Sequence, residues 1–314
     1  MNLDKKDLSY LRNNISFLKE NNTITIEKGV SADVLNKLNE ILNDISSIKL
    51  ILFCDPNKTN RDNLFRNLDV LQFLNNLKHI SIIVGSSTPL ESIDKIDYIK
   101  DLQSFSLGGF YNKKINLNVL KKHNNLKELS FEHSINKKDY SIIKDSLVKI
   151  KLKDINLEYV SKNTNLKELV ILDNVQNEHL LTQKYPSLKT IKLSFCKKIA
   201  DFSFLNELLD LENISFNRVN TITEVPSLKS KIIKRLEFLN CKNLQNIHNI
   251  VSYKKLEKLA ITDANIEFGE IKKIAKNMLL DTFYFRSKDN SETNEFESLA
   301  LKYQFQNSHA GFWK

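Results

Sequence analysis

The chain is short of the residues that staple or punctuate a fold: six glycines, four prolines, three cysteines and one tryptophan among 314 residues. The cysteines, Cys54, Cys196 and Cys241, are odd in number, widely scattered and form no Cys-x-x-Cys pair. Neither a disulfide framework nor a zinc site follows from them. No stretch approaches the roughly 18 uninterrupted apolar residues of a membrane span. The start, Met-Asn-Leu-Asp-Lys-Lys-Asp-Leu, lacks the apolar centre of a secretory signal. The expectation is a cytoplasmic protein with no membrane segment.

Motifs of chemistry are missing as well. There is no Gly-x-Gly-x-x-Gly, no Walker loop, no His-Glu-x-x-His and no Gly-x-Ser-x-Gly. The six histidines, at 79, 123, 133, 179, 248 and 309, are dispersed without metal-ligand spacing. Glu128 and Glu132 share one strand face, but four residues at about 3.3 Å each put them roughly 13 Å apart, too far for paired-carboxylate work. The isolated Gly108-Gly109 pair directly follows a strand and reads as a tight exit turn. The sequence is therefore expected to encode no enzyme, no cofactor site and no metal site. The net charge of +9 comes from 47 basic and 38 acidic residues interleaved along the chain, without a polybasic tract. It reads as a well-solvated surface, or as a preference for an acidic partner.

What is abundant is one phrase, Leu-x-x-Leu-x-Leu, with Ile or Phe standing in for Leu. It begins at 48, 77, 102, 126, 147, 166, 188, 211, 233, 256 and 280, so the spacings run between 19 and 29 residues. Each phrase is expected to form a short strand of a parallel sheet. Its apolar residues point to the core and the residues between them to the other face. Ahead of it, residues 3–19 carry Leu3, Leu8, Leu11, Ile15 and Leu18 at helical spacing. Thr23-Ile24-Thr25-Ile26 alternates like a strand, with Ile24 and Ile26 fit for a degenerate first repeat. Val30 to Ile45 reads as a helix capped by Ser31. Residues 1–47 form an N-terminal helix–strand–helix cap, 48–286 the repeat array and 287–314 a C-terminal cap with a helix over Asn294–Tyr303. Apolar positions in Asn63–Leu74 suit a helix, whereas the 19-residue unit from 147 has room for a turn or so. The return segments should therefore be bulkier near the N-terminus.

A period in the twenties carrying this phrase resembles the leucine-rich-repeat proteins, in particular the roughly 22-residue class found in internalin-like and other intracellular bacterial and eukaryotic proteins. The resemblance covers about three quarters of the chain. It implies an α/β fold, a right-handed solenoid or horseshoe of about eleven repeats with a parallel concave sheet and a mixed short-helix and 3₁₀ convex side. In that family the ninth position of the repeat usually holds Asn or Cys, bonded to turn backbone. Here it holds Asn174, Cys196 and Cys241, but also Gly85, Phe110, Ser134, Ile155, Val219 and Ala264. The polar ladder is broken, so turn amides must find water or neighbouring carbonyls. Cys196 and Cys241 read as buried and structural.

The resemblance also implies a non-enzymatic module that binds a partner protein on the concave face, with an acidic partner as one reading of the charge. The candidate contact residues are Glu128, Glu132, Lys149, Lys151, Lys153, Glu168, Lys192, Arg235, Tyr284 and Arg286. Lys149, Lys151 and Lys153 make an all-lysine row, read either as paired with flanking glutamates or as a docking patch. Leu50 and Leu52 would put an apolar pair on the same face, or lie buried under the N-terminal cap. Trp313 either seals the C-terminal end or projects as a hook. Two alternatives stay open, an immunity or antitoxin-type protein that neutralises a cognate toxin and a nucleic-acid binder using the basic surface. The chain is expected to be a monomer.

Overall fold

The computed structural model describes residues 8–14, 16, 20, 22–27, 30–54, 68–85, 90–109, 111 and 115–313. Leu3, Ile15 and Leu18 of the expected first helix, positions 63–67 of the expected helix in Asn63–Leu74, and Phe110 lie outside them.

Twelve strands follow one another through the sheet in sequence order. They are β1 (Thr23–Ile26), β2 (Lys49–Cys54), β3 (His79–Val84), β4 (Ser104–Gly109), β5 (Glu128–Phe131) and β6 (Lys149–Asn156). After them come β7 (Glu168–Gln176), β8 (Thr190–Ser194), β9 (Asn213–Asn217), β10 (Arg235–Leu239), β11 (Lys258–Thr262) and β12 (Thr282–Arg286). The registers are parallel and keep the phrase aligned: Leu236 lies opposite both Ile214 and Leu259. In the ten phrases from Leu77 to Phe285 the first, fourth and sixth residues are all buried. Each contributes about 1.5–3 kcal/mol by leaving water. A parallel sheet in sequence order carrying this phrase at this spacing is the leucine-rich-repeat fold.

The chain divides into two compact units, residues 1–150 and 151–314. The first holds α1 (Leu8–Asn13), β1, α2 (Ala32–Asp44) and the strands up to the start of β6. Ser31 caps α2, its hydroxyl accepting from the Val34 amide, and Val34, Leu35, Leu38, Ile41 and Leu42 form the buried stripe. That stripe follows the helical period read from the sequence. β1 pairs in parallel with β2, Ile24 opposite Leu50 and Ile26 opposite Leu52, so the strand of the N-terminal segment is a repeat strand. Short 3₁₀ segments such as Asp94–Tyr98 and Leu117–Lys122 return the chain between strands.

The first repeat departs from its expected phase by one residue. Leu50 and Leu52 align with Ile80 and Ile82 and are buried in the core, while Ile51 and Phe53 are half-exposed on the other face. They are therefore neither an apolar pair on the open face nor a pair lying under a cap. The run Leu50-Ile-Leu-Phe53 is apolar on both faces, and an unbroken apolar run carries no alternation from which to choose a face.

The second unit continues from Lys151 and holds α3 (Leu181–Lys184), α4 (Phe268–Asn277) and α5 (Asn290–Tyr303). Between β6 and β7 the short return has no helix. Asn163, fully buried, closes it by accepting from the amides of Asn165 and Leu166. Among the described return segments the longest helix is α2, 13 residues between β1 and β2, and a second, the 10-residue α4 between β11 and β12, adds bulk near the C-terminus that the spacing does not predict. Its Ile271, Ile274 and Ala275 are buried and Phe268 stacks on Phe285 at 5.7 Å, an apolar face that repeat length alone does not reveal. Helix α5 starts four residues earlier than the spacing predicts because Asp289 caps it, accepting from the Ser291 amide at 2.7 Å. Phe296 of α5 meets the rings of Phe283, Phe285 and Phe305 at 4.8–5.5 Å.

The eighth residue of the phrase governs how a strand ends. Gly109, Phe195, Arg218, Asn240 and Asp263 all occupy it, and all have left-handed backbone, with φ between 50° and 79°. From Phe195 to Asp263 each of their amides donates to the last carbonyl of the following strand, at 2.7–3.0 Å. Neighbouring carbonyls thus satisfy the amides, as the broken polar ladder requires. β8 to β11 stop at five residues each, whereas β6 and β7, without that left-handed residue, run on for eight and nine. The strand exits are uneven for this reason.

Candidate functional site

One face of the sheet carries the core, and the other, open face presents the residues between the apolar letters. In the first unit its charged groups are engaged. Glu128 accepts from the Ser104 hydroxyl at 3.1 Å. Glu132 accepts from the Gly109 amide at 3.0 Å, and its carboxyl fills the space where a Gly108 Cβ would lie. Glu132 thus ties the exit turn of β4. His133, the next residue, contacts the Gly109 carbonyl at 2.6 Å and meets the Tyr111 ring edge-on at 4.6 Å. Burial pushes the Tyr111 hydroxyl up to about 12. At the end of β2 and β3 the open face carries an apolar pair, Phe53 opposite Ile83, and at their start Lys49 lies opposite His79. His79 is held below the ordinary histidine range by burial.

The three lysines expected as a row lie on one strand, β6: Lys149 belongs to the first unit, Lys151 and Lys153 to the second, and all are half-buried. In the second unit Glu168 pairs with Lys192 at 3.7 Å, both side chains one-quarter exposed. A pair in that setting is worth a few tenths of a kcal/mol to about 1. Arg286 binds Asp263 at 3.0 Å, which raises its own proton affinity. Arg235 is half-buried between its register partners Asn213 and Lys258.

In the second unit the chain's own C-terminus lies on this face, from β12 back to β8. After α5, Gln306 bridges Thr282 at the edge of β12; its carbonyl accepts from Phe283 and its amide donates to Asp281. The chain then crosses the strands. His309 reaches the Glu237 carboxylate at 2.5 Å and lies 5.5 Å from the Tyr284 ring. The Trp313 indole N–H donates to the same Glu237 oxygen at 3.1 Å, and the ammonium of Lys192 sits 3.8 Å above the indole ring. Lys258 points its ammonium at the carbonyls of Gly311 and Phe312, at 3.4 and 3.5 Å. The second oxygen of Glu237 accepts from the Ser215 hydroxyl. Ser215, Glu237, Ala260, Thr262 and Thr282, all on the open face of this unit, are at most 6% exposed.

Trp313 therefore neither seals the end of the array nor hangs free. It lies on the open face two to four strands back from β12, between Lys192 of β8 and Glu237 of β10. Of the ten expected contact residues, Lys192 and Tyr284 meet this tail, and Glu168 is joined to it through Lys192. Sequence reasoning missed Glu237, Lys258, His309 and Trp313 as a set. Its available signal was an aromatic ending, His309-Ala-Gly-Phe-Trp313, that fits neither helical nor strand periodicity. The thiols of Cys196 and Cys241 are buried at the ninth position and donate to backbone carbonyls at 3.4–3.6 Å. Burial pushes them up to about 12 and about 11, so both are structural.

Among solved structures, the chain is similar to a leucine-rich-repeat protein of Leptospira interrogans, at 14% identity and a TM-score of 0.39, over 95% of this chain and 98% of that one. It is also similar to an internalin of Listeria monocytogenes, at 13% identity and a TM-score of 0.37, over 90% and 91%. No family model and no curated protein matches the sequence. The leucine-rich-repeat assignment rests on this chain's own strand order and phrase. Among the described residues no helix is long and apolar enough to cross a membrane, and no cluster of His, Cys, Asp and Glu could hold a metal ion.

Proposed function

We propose that this chain is a protein-binding module whose partner docks on the open face of the sheet, with the lysines of β6 as the charged element that favours an acidic partner. The observation that carries this reading is that the same face already holds a polypeptide segment. His309–Trp313 is bound there through Glu237, Lys192 and Lys258, contacts of the kind an intermolecular peptide interface uses. Complementary charge adds orientation and speed of association to such a contact. The test is charge reversal of Lys149, Lys151 and Lys153 to glutamate in the tagged chain, followed by quantitative affinity capture from its native host. The expected result is at least a tenfold loss of the captured protein with an unchanged unfolding midpoint, a fold-change typical of losing several charged contacts at about 0.5–1 kcal/mol each. Equal capture by the wild type and the variant moves the interface away from β6. Nuclease-sensitive capture transfers the reading to nucleic acid.

A further inference from the structure

The C-terminal tail is attached to the sheet in two chemically different ways. Phe305 and Gln306 belong to the end of the array: Phe305 is buried against Phe283 and Phe296, and Gln306 extends the strand ladder through backbone hydrogen bonds. From Asn307 onward the attachment changes. The contacts that hold residues 309–313 to the strands run from side chains of the sheet to single groups of the segment. Glu237 takes the His309 imidazole and the Trp313 indole N–H, Lys258 takes two successive carbonyls, and Lys192 lies over the indole. This is how a folded face holds a ligand peptide, by a few anchoring side chains with a charged group at the centre.

Of the hydrogen bonds to Glu237, the sheet supplies the one from Ser215 and the tail the other two. A carboxylate 3% exposed, in register between Ser215 and Ala260, is costly unless its oxygens are bonded. Its bonding is completed by Ser215 on one oxygen and by the tail on the other. The apolar end of the array is already covered by Phe296 and Phe305, so closing that end requires none of these polar contacts. The docked tail also carries a defect: the Asn307 side-chain oxygen is buried without a hydrogen-bond partner among the described residues. Gly311, with φ 75°, gives the segment a turn that other residues adopt at a cost.

From these contacts, and resting on the reading that the open face binds protein, we infer that Lys192, Ser215, Glu237, Lys258 and Tyr284 form a recognition surface for a turn-forming peptide bearing an indole and a second N–H donor, and that His309–Trp313 is its displaceable resident. The partner segment would bring its own aromatic side chain beneath Lys192, its donors to Glu237 and its carbonyls to Lys258. It would replace the tail contact for contact. The chain's own segment, tethered at Gln306, competes at a high effective concentration and sets the threshold a partner must exceed.

The experiment uses the full chain and a fluorescein-labelled synthetic peptide of residues 306–313, read by anisotropy. His309→Ala with Trp313→Ala, made together, release the resident tail. That variant should bind the peptide at least tenfold more tightly than the wild type, whose own tail competes. Adding Glu237→Ala to the released variant should abolish the gain. A second readout needs no peptide, because Trp313 is the only tryptophan. In the wild type its emission should resist acrylamide quenching, and Glu237→Ala should raise the quenching to that of the free peptide. Equal peptide affinity in all three proteins overturns the inference, as does wild-type quenching already at the free-peptide level. Either result leaves the lysine-reversal capture to decide separately whether the open face binds a protein at all.

Discussion

Replacing Gly109 by alanine tests the strand-exit geometry at its most constrained point. Gly109 ends β4 opposite Val84 of β3, with φ 79°. A Cβ built there would lie 2.0 Å from the Val84 carbonyl oxygen and 2.9 Å from the Val84 nitrogen. Those atoms are backbone of a paired strand, so no side-chain rotation can make room. The left-handed conformation costs an L-residue about 1–2 kcal/mol, and overpacking a fixed site adds about 1–3 kcal/mol, which together put the loss near 3 kcal/mol. With a urea m-value of about 3 kcal/mol/M, the midpoint followed by far-UV circular dichroism should fall by roughly 1 M. Arg218→Gly at the same repeat position is the control. There glycine relieves a φ of 54°, worth about 1–2 kcal/mol. The gain is offset by greater freedom in the unfolded chain and by loss of the guanidinium 5.1 Å over the Phe195 ring, together of similar size. Its midpoint should stay within roughly 0.3 M of the wild type. If Gly109→Ala also stayed within that window, the close approach of β3 and β4 at this turn would be wrong.

The remaining predictions concern buried titratable groups. Cys196 and Cys241, with thiols pushed up to about 12 and about 11 by burial, should resist maleimide at pH 8 in the native state and react quickly in urea. Peptide mass mapping that found rapid native labelling at either residue would contradict their burial. His123 is buried, its Nε2 has no hydrogen-bond partner among the described residues, and burial holds it below the ordinary histidine range. The unfolded chain therefore takes up the proton first. Stability should be highest above the ordinary histidine pKa of about 6.5 and decline as the pH falls through it. His123→Asn should flatten that decline between pH 7.5 and 5.5, measured as urea midpoints; an unchanged slope would remove His123 as its source.

The repeated phrase made the strands legible because the same alternation recurs at each turn of the array. From Leu77 onward its first, fourth and sixth residues all reach the core. Ser31 as a helix cap and the ninth-position cysteines were readable for a similar reason, since each is a local bond with a known residue preference. The first repeat was not readable in this way. Leu50, Ile51, Leu52 and Phe53 are all apolar, and only pairing with Ile80 and Ile82 selects which of them face inward. The left-handed eighth position was half-visible: Gly109, Asn240 and Asp263 are residues that favour it, but Phe195 and Arg218 are not. At those two the hydrogen bond to the next strand overrides local preference.

By itself the sequence determined the class of fold, the alignment of successive strands and the division between buried letters and open-face letters, because these depend on interactions repeated every twenty-odd residues. It also named most of the side chains that the open face presents. Only the tertiary structure decided which of them are available. Glu237 and Trp313 are 76 residues apart in the chain, and Lys258 and Phe312 are 54 apart. No local period links such pairs. Their meeting is set by where the array ends and by how the last seven described residues turn back across it, a non-local contact made once and repeated nowhere else in the sequence.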